Sequence, residues 1–113
     1  MQIVDKKISL EELRKMSQKM FGEIVKAVVD IEKKIMVVDA ALHADQENLL
    51  LENGSQQEHL WGINIHPKMG EENWVEFDSM INLRPSWGNS SRGVDDPQIQ
   101  AQIKAIVYKL VEK

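Results

Sequence analysis

The chain has 113 residues and a net charge of −4, which leaves room for one domain over residues 1–113 that buries about two-thirds of its unfolded surface. It contains no cysteine, which excludes a disulfide framework, a thiolate metal site and a cysteine nucleophile. No apolar run approaches the ~18 residues needed to cross a bilayer, and the charged start is unlike a secretion signal. We therefore expect a cytoplasmic protein without a membrane segment.

Charge is unevenly distributed along the chain. Residues 39–78 carry nine acidic groups and one basic group, whereas residues 1–38 and residues 79–113 each carry an excess of two basic groups. Nucleic-acid binders usually present a basic stripe, so the acidic total disfavours non-specific binding to a phosphate backbone. A local basic patch around Arg84 and Arg92 is still compatible with this pattern.

The first half of the chain predicts a helix followed by a hairpin. Ser9 and Glu12 are spaced as a capping box, and apolar residues recur behind them at helical spacing, which predicts an amphipathic helix over 10–21. Apolar residues then alternate with other residues over 25–31 and again over 36–42. This spacing is typical of two strands joined by a short charged turn.

The second half predicts a helix at 45–53, strands at 60–66 and 74–84, and a last helix capped by Asp95 or Asp96. Hairpins with helices at both ends indicate an α+β fold in the order α-β-β-α-β-β-α, an antiparallel sheet of about four strands with the two terminal helices on one face. An edge strand at Gln2–Val4 can precede them. The predicted core contains Leu13, Val29, Val38, Trp61, Ile63, Phe77, Ile81, Ile103 and Leu110.

Strand alternation also gathers polar side chains on the face of the sheet opposite the core. The residues placed there are Asp39, Asn64, His66, Asp78, Asn82 and Arg84. Asn and Asp are poor strand formers, and several of them in mid-strand indicate a functional surface. The alternative interpretation is the solvated face of a two-layer domain.

The segment 82–93 is the strongest candidate for a ligand site. It places two guanidinium groups, two amides and several hydroxyls around a turn, and arginine forks match carboxylate and phosphate oxygens. An anion or nucleotide site requires Arg84 and Arg92 to converge on one acceptor, whereas a structural loop bonds its own backbone and pairs an arginine with a carboxylate from 39–78. The predicted ligand-binding residues are Asn64, Asp78, Asn82, Arg84, Asn89, Ser91 and Arg92.

Asp39, His43 and Asp45 form a constellation with the residue types of a metal site. A helix places Asp39 and His43 one turn apart and a strand places all three on one side, so a histidine and two carboxylates can hold a divalent ion there. Such a site suggests a metal-assisted phosphoester hydrolase. The simpler interpretation is a histidine that caps a helix or lies on the surface.

Several motifs together resemble a known family. They are Gly54-Ser55-x-Gln57, Leu60-Trp61-Gly62-x-Asn64, Pro67 and Ser79-x-Ile81-Asn82-x-Arg84-Pro85-x-x-Gly88-Asn89-x-Ser91-Arg92. In this order they resemble a small prokaryotic family catalogued as a domain of unknown function, over nearly the whole chain. The resemblance implies a stand-alone prokaryotic protein and assigns no activity to any residue.

Two functions from different classes follow from these patterns. The first is a binding or interaction module that takes a small anionic ligand or a protein partner at the polar sheet face or the 84–92 loop. The second is the metal-assisted hydrolase, and neither pattern names a cofactor. We also expect a two-fold homodimer, because Met36, Trp74 and Met80 are large apolar groups that the core need not bury completely.

Overall fold

The computed structural model describes residues 1–113 and contains seven strands and three helices. In chain order these are β1 (Gln2–Val4), β2 (Ile8–Ser9), α1 (Leu10–Met20), β3 (Val25–Asp30), β4 (Ile35–Val38), α2 (His43–Glu52), β5 (Leu60–Ile65), β6 (Val75–Glu76), α3 (Pro97–Leu110) and β7 (Val111–Glu112). Five strands form an antiparallel sheet in the order β1-β4-β3-β5-β6, while β2 and β7 pair in parallel. The α+β class is therefore confirmed, and the edge strand β1 brings the sheet to five strands.

One face of the sheet packs against α1 and α3 around the main core, a cluster of 18 buried residues. Both helices begin where the sequence places a cap. The Ser9 side chain accepts a hydrogen bond from the Glu12 backbone N–H at 3.1 Å, and Asp96 accepts one from the Gln98 N–H at 2.8 Å. The terminal helices thus share one face, as predicted. No helix of the chain is long and apolar enough to span a membrane.

Most of the predicted core is buried. The members of that set with 6% exposure or less are Leu13, Val29, Val38, Trp61, Ile63, Ile103 and Leu110. Phe77 and Ile81 are only partly buried and lie on opposite faces of the sheet, so their placement together in the core was wrong. Met36 and Trp74 also belong to the main core, which leaves Met80 as the exposed group behind the dimer prediction.

The other face of the sheet is covered by α2. A smaller core of Val28, Val37, Leu50 and Leu60 lies beneath this helix. Because Leu49, Leu50 and Leu51 are consecutive, they point in three directions around the helix and form no apolar stripe. The residue types therefore predict the helix, but no periodicity predicts which side of the helix packs on the sheet. The polar sheet face is partly enclosed rather than simply solvated.

The predicted strand over 74–84 is wrong beyond its first residues. Of residues 74–84, only β6 forms a ladder with β5, and Met80–Asn82 makes a single 3-10 turn instead. The side-chain amide of Asn82 takes the place of a neighbouring strand, since it accepts from the Gly62 N–H at 2.8 Å and donates to the Gly62 carbonyl at 2.9 Å. Asparagine competes with a strand ladder in this way because its side chain imitates a peptide group.

Gly62 allows the segment 77–93 to lie directly against β5. A Cβ atom at this position would be 2.5 Å from both Cβ and Oγ of Ser79, well inside van der Waals contact. Ser79 is itself buried, and its backbone N–H donates to the carbonyl of Arg92 at 2.9 Å. The absence of a side chain at Gly62 therefore leaves room for Ser79 and lets the loop lie over the polar sheet face.

Candidate functional site

A cavity of about 240 Å³ opens on the α2 face of the sheet, between β3, β5, the start of α2 and the segment 77–93. Lys26 on β3 and Asn64 on β5 are direct partners in the strand register, and both line the cavity. The predicted site residues that the cavity brings together are His43, Asn64, Asp78 and Arg92. Strand register and loop packing thus assemble in space four residues that are far apart in sequence.

His43 is the first residue of α2 and is 7% exposed. Its Nε2 lies 2.7 Å from the carbonyl oxygen of Ile63, and because a carbonyl only accepts, Nε2 carries the proton and Nδ1 is left as an acceptor. Burial lowers the pKa of His43, as do the charges of Lys26 and Arg92, while the Ile63 hydrogen bond and Asp78 oppose that shift. The imidazole is therefore neutral at pH 7.

Asn64 contributes an acceptor that has no partner within the protein. The residue is 8% exposed, and its Nδ2 donates to Oε1 of Glu76 at 3.0 Å, which fixes the orientation of the amide. Its Oδ1 is buried and makes no hydrogen bond. The pKa of Glu76 is lowered by the hydrogen bonds from Asn64 and His66, so this carboxylate stays charged. An unpartnered buried acceptor costs about 1–3 kcal/mol.

The charges around the cavity leave one cation unpaired. Arg92 donates from Nε to Oδ1 of Asp78 at 2.8 Å, and both side chains are about half exposed. Lys26 has no carboxylate within 4 Å; its ammonium group lies 5.4 Å from the centre of the Phe21 ring. With His43 neutral, the cavity carries a net positive charge that comes from Lys26.

The start of α2 adds backbone donors to the same cavity. Leu42 is the N-cap residue, and its side chain satisfies none of the free N–H groups of the first turn. Leu42, His43 and Ala44 all line the cavity. Free N–H groups and the helix dipole attract negative charge at a helix N-terminus. The helix end thus favours the same sign of ligand charge as Lys26.

The two predicted loop asparagines are used by the loop itself. Asn82 is fully buried and, besides its two bonds to Gly62, donates to the carbonyl of Arg92 at 3.0 Å. Asn89 is 5% exposed, donates from Nδ2 to the carbonyls of Asn82, Ser91 and Gly93, and accepts from the Asp95 N–H. The Ser91 hydroxyl donates to Asp95 at 2.5 Å. These groups hold the segment 77–93 in place.

Arg84 and Arg92 do not converge on one acceptor. The guanidinium carbon of Arg84 lies 4.3 Å from the Trp61 ring centre and 5.5 Å from that of Trp87. The guanidinium N–H groups donate to the carbonyls of Gln57 and Leu60. It lines a separate cavity with both tryptophans. Burial lowers the pKa of Arg84, and the carboxylate of Glu47 opposes this. The pairing of Arg92 with Asp78 is the outcome expected for a structural loop.

The residues of the predicted metal site lie apart. Asp39, His43 and Asp45 line three different cavities, and no three His, Asp or Glu side chains are grouped so that they could hold a metal ion. The reason is local. β4 ends at Val38, Asp39 has a positive φ of 67°, and α2 begins only at His43. Neither the continuous strand nor the continuous helix that the prediction requires is present.

Sequence reasoning missed Lys26 although a usable pattern was present. Val25, Ala27 and Val29 alternate as core residues of β3, so the residue between the first two points to the opposite face, where Asn64 lies. The uncapped start of α2 is also visible in the sequence, because leucine at position 42 has no side-chain oxygen that could cap the helix. The positions of Ser79 and Arg92 beside the cavity depend on tertiary contacts, which residue spacing does not predict.

Comparison with known proteins identifies the family of the chain and nothing more specific. No curated protein and no solved structure is found to match it. A family model described as "protein of unknown function (DUF5674)" matches residues 2–110. Since the match covers nearly the whole chain, this protein belongs to the DUF5674 family.

Proposed function

We propose that the protein binds a small anionic ligand in the cavity between Lys26, Asn64 and the start of α2. The observation that carries the proposal is a lysine without a carboxylate partner in a cavity whose one lining carboxylate, Asp78, is paired with Arg92. A ligand with negative charge supplies the counter-ion that Lys26 lacks within the protein. The cavity of about 240 Å³ is smaller than the ~300–1,000 Å³ of drug-sized sites, which favours a small molecule.

The electrostatics of the site support an anion over a cation. Lys26 and the free N–H groups of α2 are positive, and the one carboxylate at the cavity, Asp78, is neutralised by Arg92. His43 is neutral and therefore adds no charge to the cavity. A cationic ligand would meet Lys26 without a free counter-charge, whereas an anion gains attraction from the lysine and from the helix end.

Thermal unfolding in the presence of simple anions tests this proposal. A ligand that binds only the folded state raises the melting temperature by mass action. We expect acetate or inorganic phosphate to stabilise the wild type but not Lys26→Met, which keeps the length of the side chain without its charge. Lys19→Met is the matched control, because Lys19 is exposed at the end of α1 and lies outside the cavity. Equal stabilisation of all three proteins would contradict the proposal.

A further inference from the structure

A second and larger concavity lies where the β1–β2 connection, the β3–β4 turn and the second half of α3 meet. Its volume is about 760 Å³, and it shares no residue with the cavity beside Lys26. Half-buried Ile31 and buried Ile106 and Leu110 form its apolar floor. The exposed residues that line it include five lysines, Lys6, Lys7, Lys33, Lys34 and Lys109. We call this concavity the lysine groove.

The lysine groove holds positive charge that the protein does not neutralise. None of its five lysines has a carboxylate within 4 Å. Asp5 is the one carboxylate in the lining, and Glu32, in the β3–β4 turn, lies outside the lining and contacts His59 at 2.7 Å. The groove therefore has a formal charge of +4, whereas the whole chain has −4. Like charges around one concavity repel each other, and a negatively charged ligand relieves that repulsion.

Two of the five ammonium groups are bonded to the backbone, and three are free to contact a ligand. Nζ of Lys7 donates to the carbonyl of Lys109 at 2.8 Å, and Nζ of Lys33 donates to the carbonyl of Asn53 at 3.3 Å. The other three ammonium groups make no hydrogen bond within the protein. Since these lysines are exposed, they can turn toward a ligand in the groove without leaving any buried group unpaired.

Lys34 has a backbone conformation that a lysine disfavours. Its φ is 59°, in the left-handed region where glycine and asparagine are the usual residues. It ends the β3–β4 turn, where its N–H donates to the carbonyl of Asp30 at 2.9 Å. Asparagine would make the same backbone bond with less strain. The charge that Lys34 adds to the groove is thus a functional reason for a residue that the turn itself disfavours.

We propose that the lysine groove binds a short acidic segment of a partner protein, in which carboxylates flank an apolar side chain. Such a segment matches both features of the groove. Its carboxylates pair with the exposed lysines, and its apolar side chain contacts the floor of Ile31, Ile106 and Leu110. The cavity beside Lys26 takes no part, so this inference stands apart from the proposed function.

The lining of the groove favours a peptide over other polyanions. It contains no arginine and no aromatic ring, whereas proteins that bind single-stranded nucleic acid stack the bases on aromatic side chains. A long nucleic acid would also extend over the acidic remainder of the surface. Membrane-binding surfaces insert projecting apolar side chains, and none of the large exposed apolar residues lines the groove. A peptide enters a concavity that a flat bilayer contacts only at the rim.

Isothermal titration with blocked hexapeptides tests the charged and apolar parts separately. The probe is acetyl-Glu-Glu-Leu-Leu-Glu-Glu-amide, whose four carboxylates match the formal charge of the groove. We expect the version with serines in place of the leucines to bind about tenfold more weakly. The version with glutamines in place of the glutamates should not bind. The probe itself should bind at least about tenfold more weakly in 1 M salt, because the Debye length falls to ~3 Å.

Substitutions in the groove locate the binding. Lys6→Gln and Lys34→Asn should each weaken binding of the probe about twofold to fivefold, as expected for exposed ion pairs, and the double variant about tenfold. Lys34→Asn should keep the melting temperature at or above that of the wild type, which separates lost binding from lost stability. Lys19→Gln is the control, because Lys19 is exposed and lies outside the groove. Lys26→Met should bind the probe as tightly as the wild type does.

Three results would overturn this inference and leave the proposed function intact. The first is equal affinity for the glutamate and glutamine peptides, and the second is the absence of binding by every hexapeptide. The third is equal affinity of Lys19→Gln and the double variant for the probe. Phosphatidylserine vesicles, single-stranded DNA and inorganic triphosphate are titrated in parallel. Tighter binding of any of these than of the probe would identify a membrane, a nucleic acid or a small polyanion as the occupant and would overturn the peptide.

Discussion

On the face of the sheet covered by α1 and α3, the buried side chains are apolar and recur at every second strand residue. On the face covered by α2, four aliphatic residues form the core, and buried polar groups such as His43, Asn64 and Asn82 surround it. The first face is stabilised mainly by removing apolar area from water, the second mainly by specific hydrogen bonds. The comparison shows why one face resembles any small α+β protein while the other holds a cavity with unpaired polar groups.

The largest expected effect on stability lies on the apolar face. Leu13 on α1 is fully buried in the main core, so Leu13→Ala leaves a cavity and should lower the free energy of unfolding by about 3–5 kcal/mol. Urea denaturation measures this loss. Anion binding per folded molecule should not change, because Leu13 is on the other side of the sheet from Lys26 and Asn64. Altered affinity would show that the two faces are coupled.

On the polar face, Asn82→Ala should cost about 2–3 kcal/mol, since it leaves the N–H and carbonyl of Gly62 unpaired in a buried position. Unlike Leu13→Ala, this change should also weaken anion binding, because Asn82 bonds the backbone of Arg92, which lines the cavity. Urea denaturation and titration with acetate measure the two effects. Asn48→Ala on the exposed side of α2 is the control. If Asn82→Ala lowered the free energy of unfolding no more than the control does, hydrogen bonds would not be what stabilises this face.

The two arginines predicted for one site should respond differently to conservative replacement. Arg84→Lys loses the guanidinium contacts with the Trp61 and Trp87 rings and one or both bonds to backbone carbonyls. The expected loss in the free energy of unfolding is about 1–2 kcal/mol. Arg92→Lys changes a half-exposed ion pair with Asp78 and should cost about 0–1 kcal/mol. Thermal melts of the two variants compare them directly. Equal losses would mean that the contacts of Arg84 with the two tryptophans and the backbone carbonyls do not stabilise the fold.

The smallest expected effect is a pH dependence that belongs to His43. The folded protein holds the pKa of His43 below its usual value of 6.5, so below that pH the unfolded chain binds more protons and stability falls as pH falls. The linkage relation limits this contribution to about 0.8 kcal/mol at pH 6. His43→Gln should lack it. The charged groups near the ring, Lys26, Asp78 and Arg92, remain in both proteins, and the other histidines cancel in the difference between the two pH profiles. An unchanged pH profile in the variant would contradict the assignment.

Sequence patterns predict the apolar face well because its rules are local. The caps at Ser9 and Asp96 lie within three residues of the groups that they bond, and the alternation in β3 and β5 is visible within six residues each. The turn between β3 and β4 lacks a usual turn pair, but buried Asp30 closes it by accepting from the Glu32 and Lys33 N–H groups.

The polar face is harder to predict because its contacts are distant in sequence. Asn82 bonds Gly62 across 20 residues, and the contact between His43 and Ile63 spans the same separation. From the sequence alone, the polar residues of the segment 77–93 are therefore equally compatible with a ligand site and with structural hydrogen bonds. The predicted membership in a family of unknown function is confirmed. Asn82 and Asn89, which were also predicted to bind a ligand, hold the loop together.

The two outer strands of the sheet are β1, with three residues, and β6, with two. A strand from another molecule that added to either edge would gain only a few backbone hydrogen bonds before it met the turn that ends each strand. Short edge strands disfavour continued edge-to-edge assembly, including the cross-β stacking that leads to fibrils. The short edges thus leave the sheet few free backbone groups with which to recruit another strand.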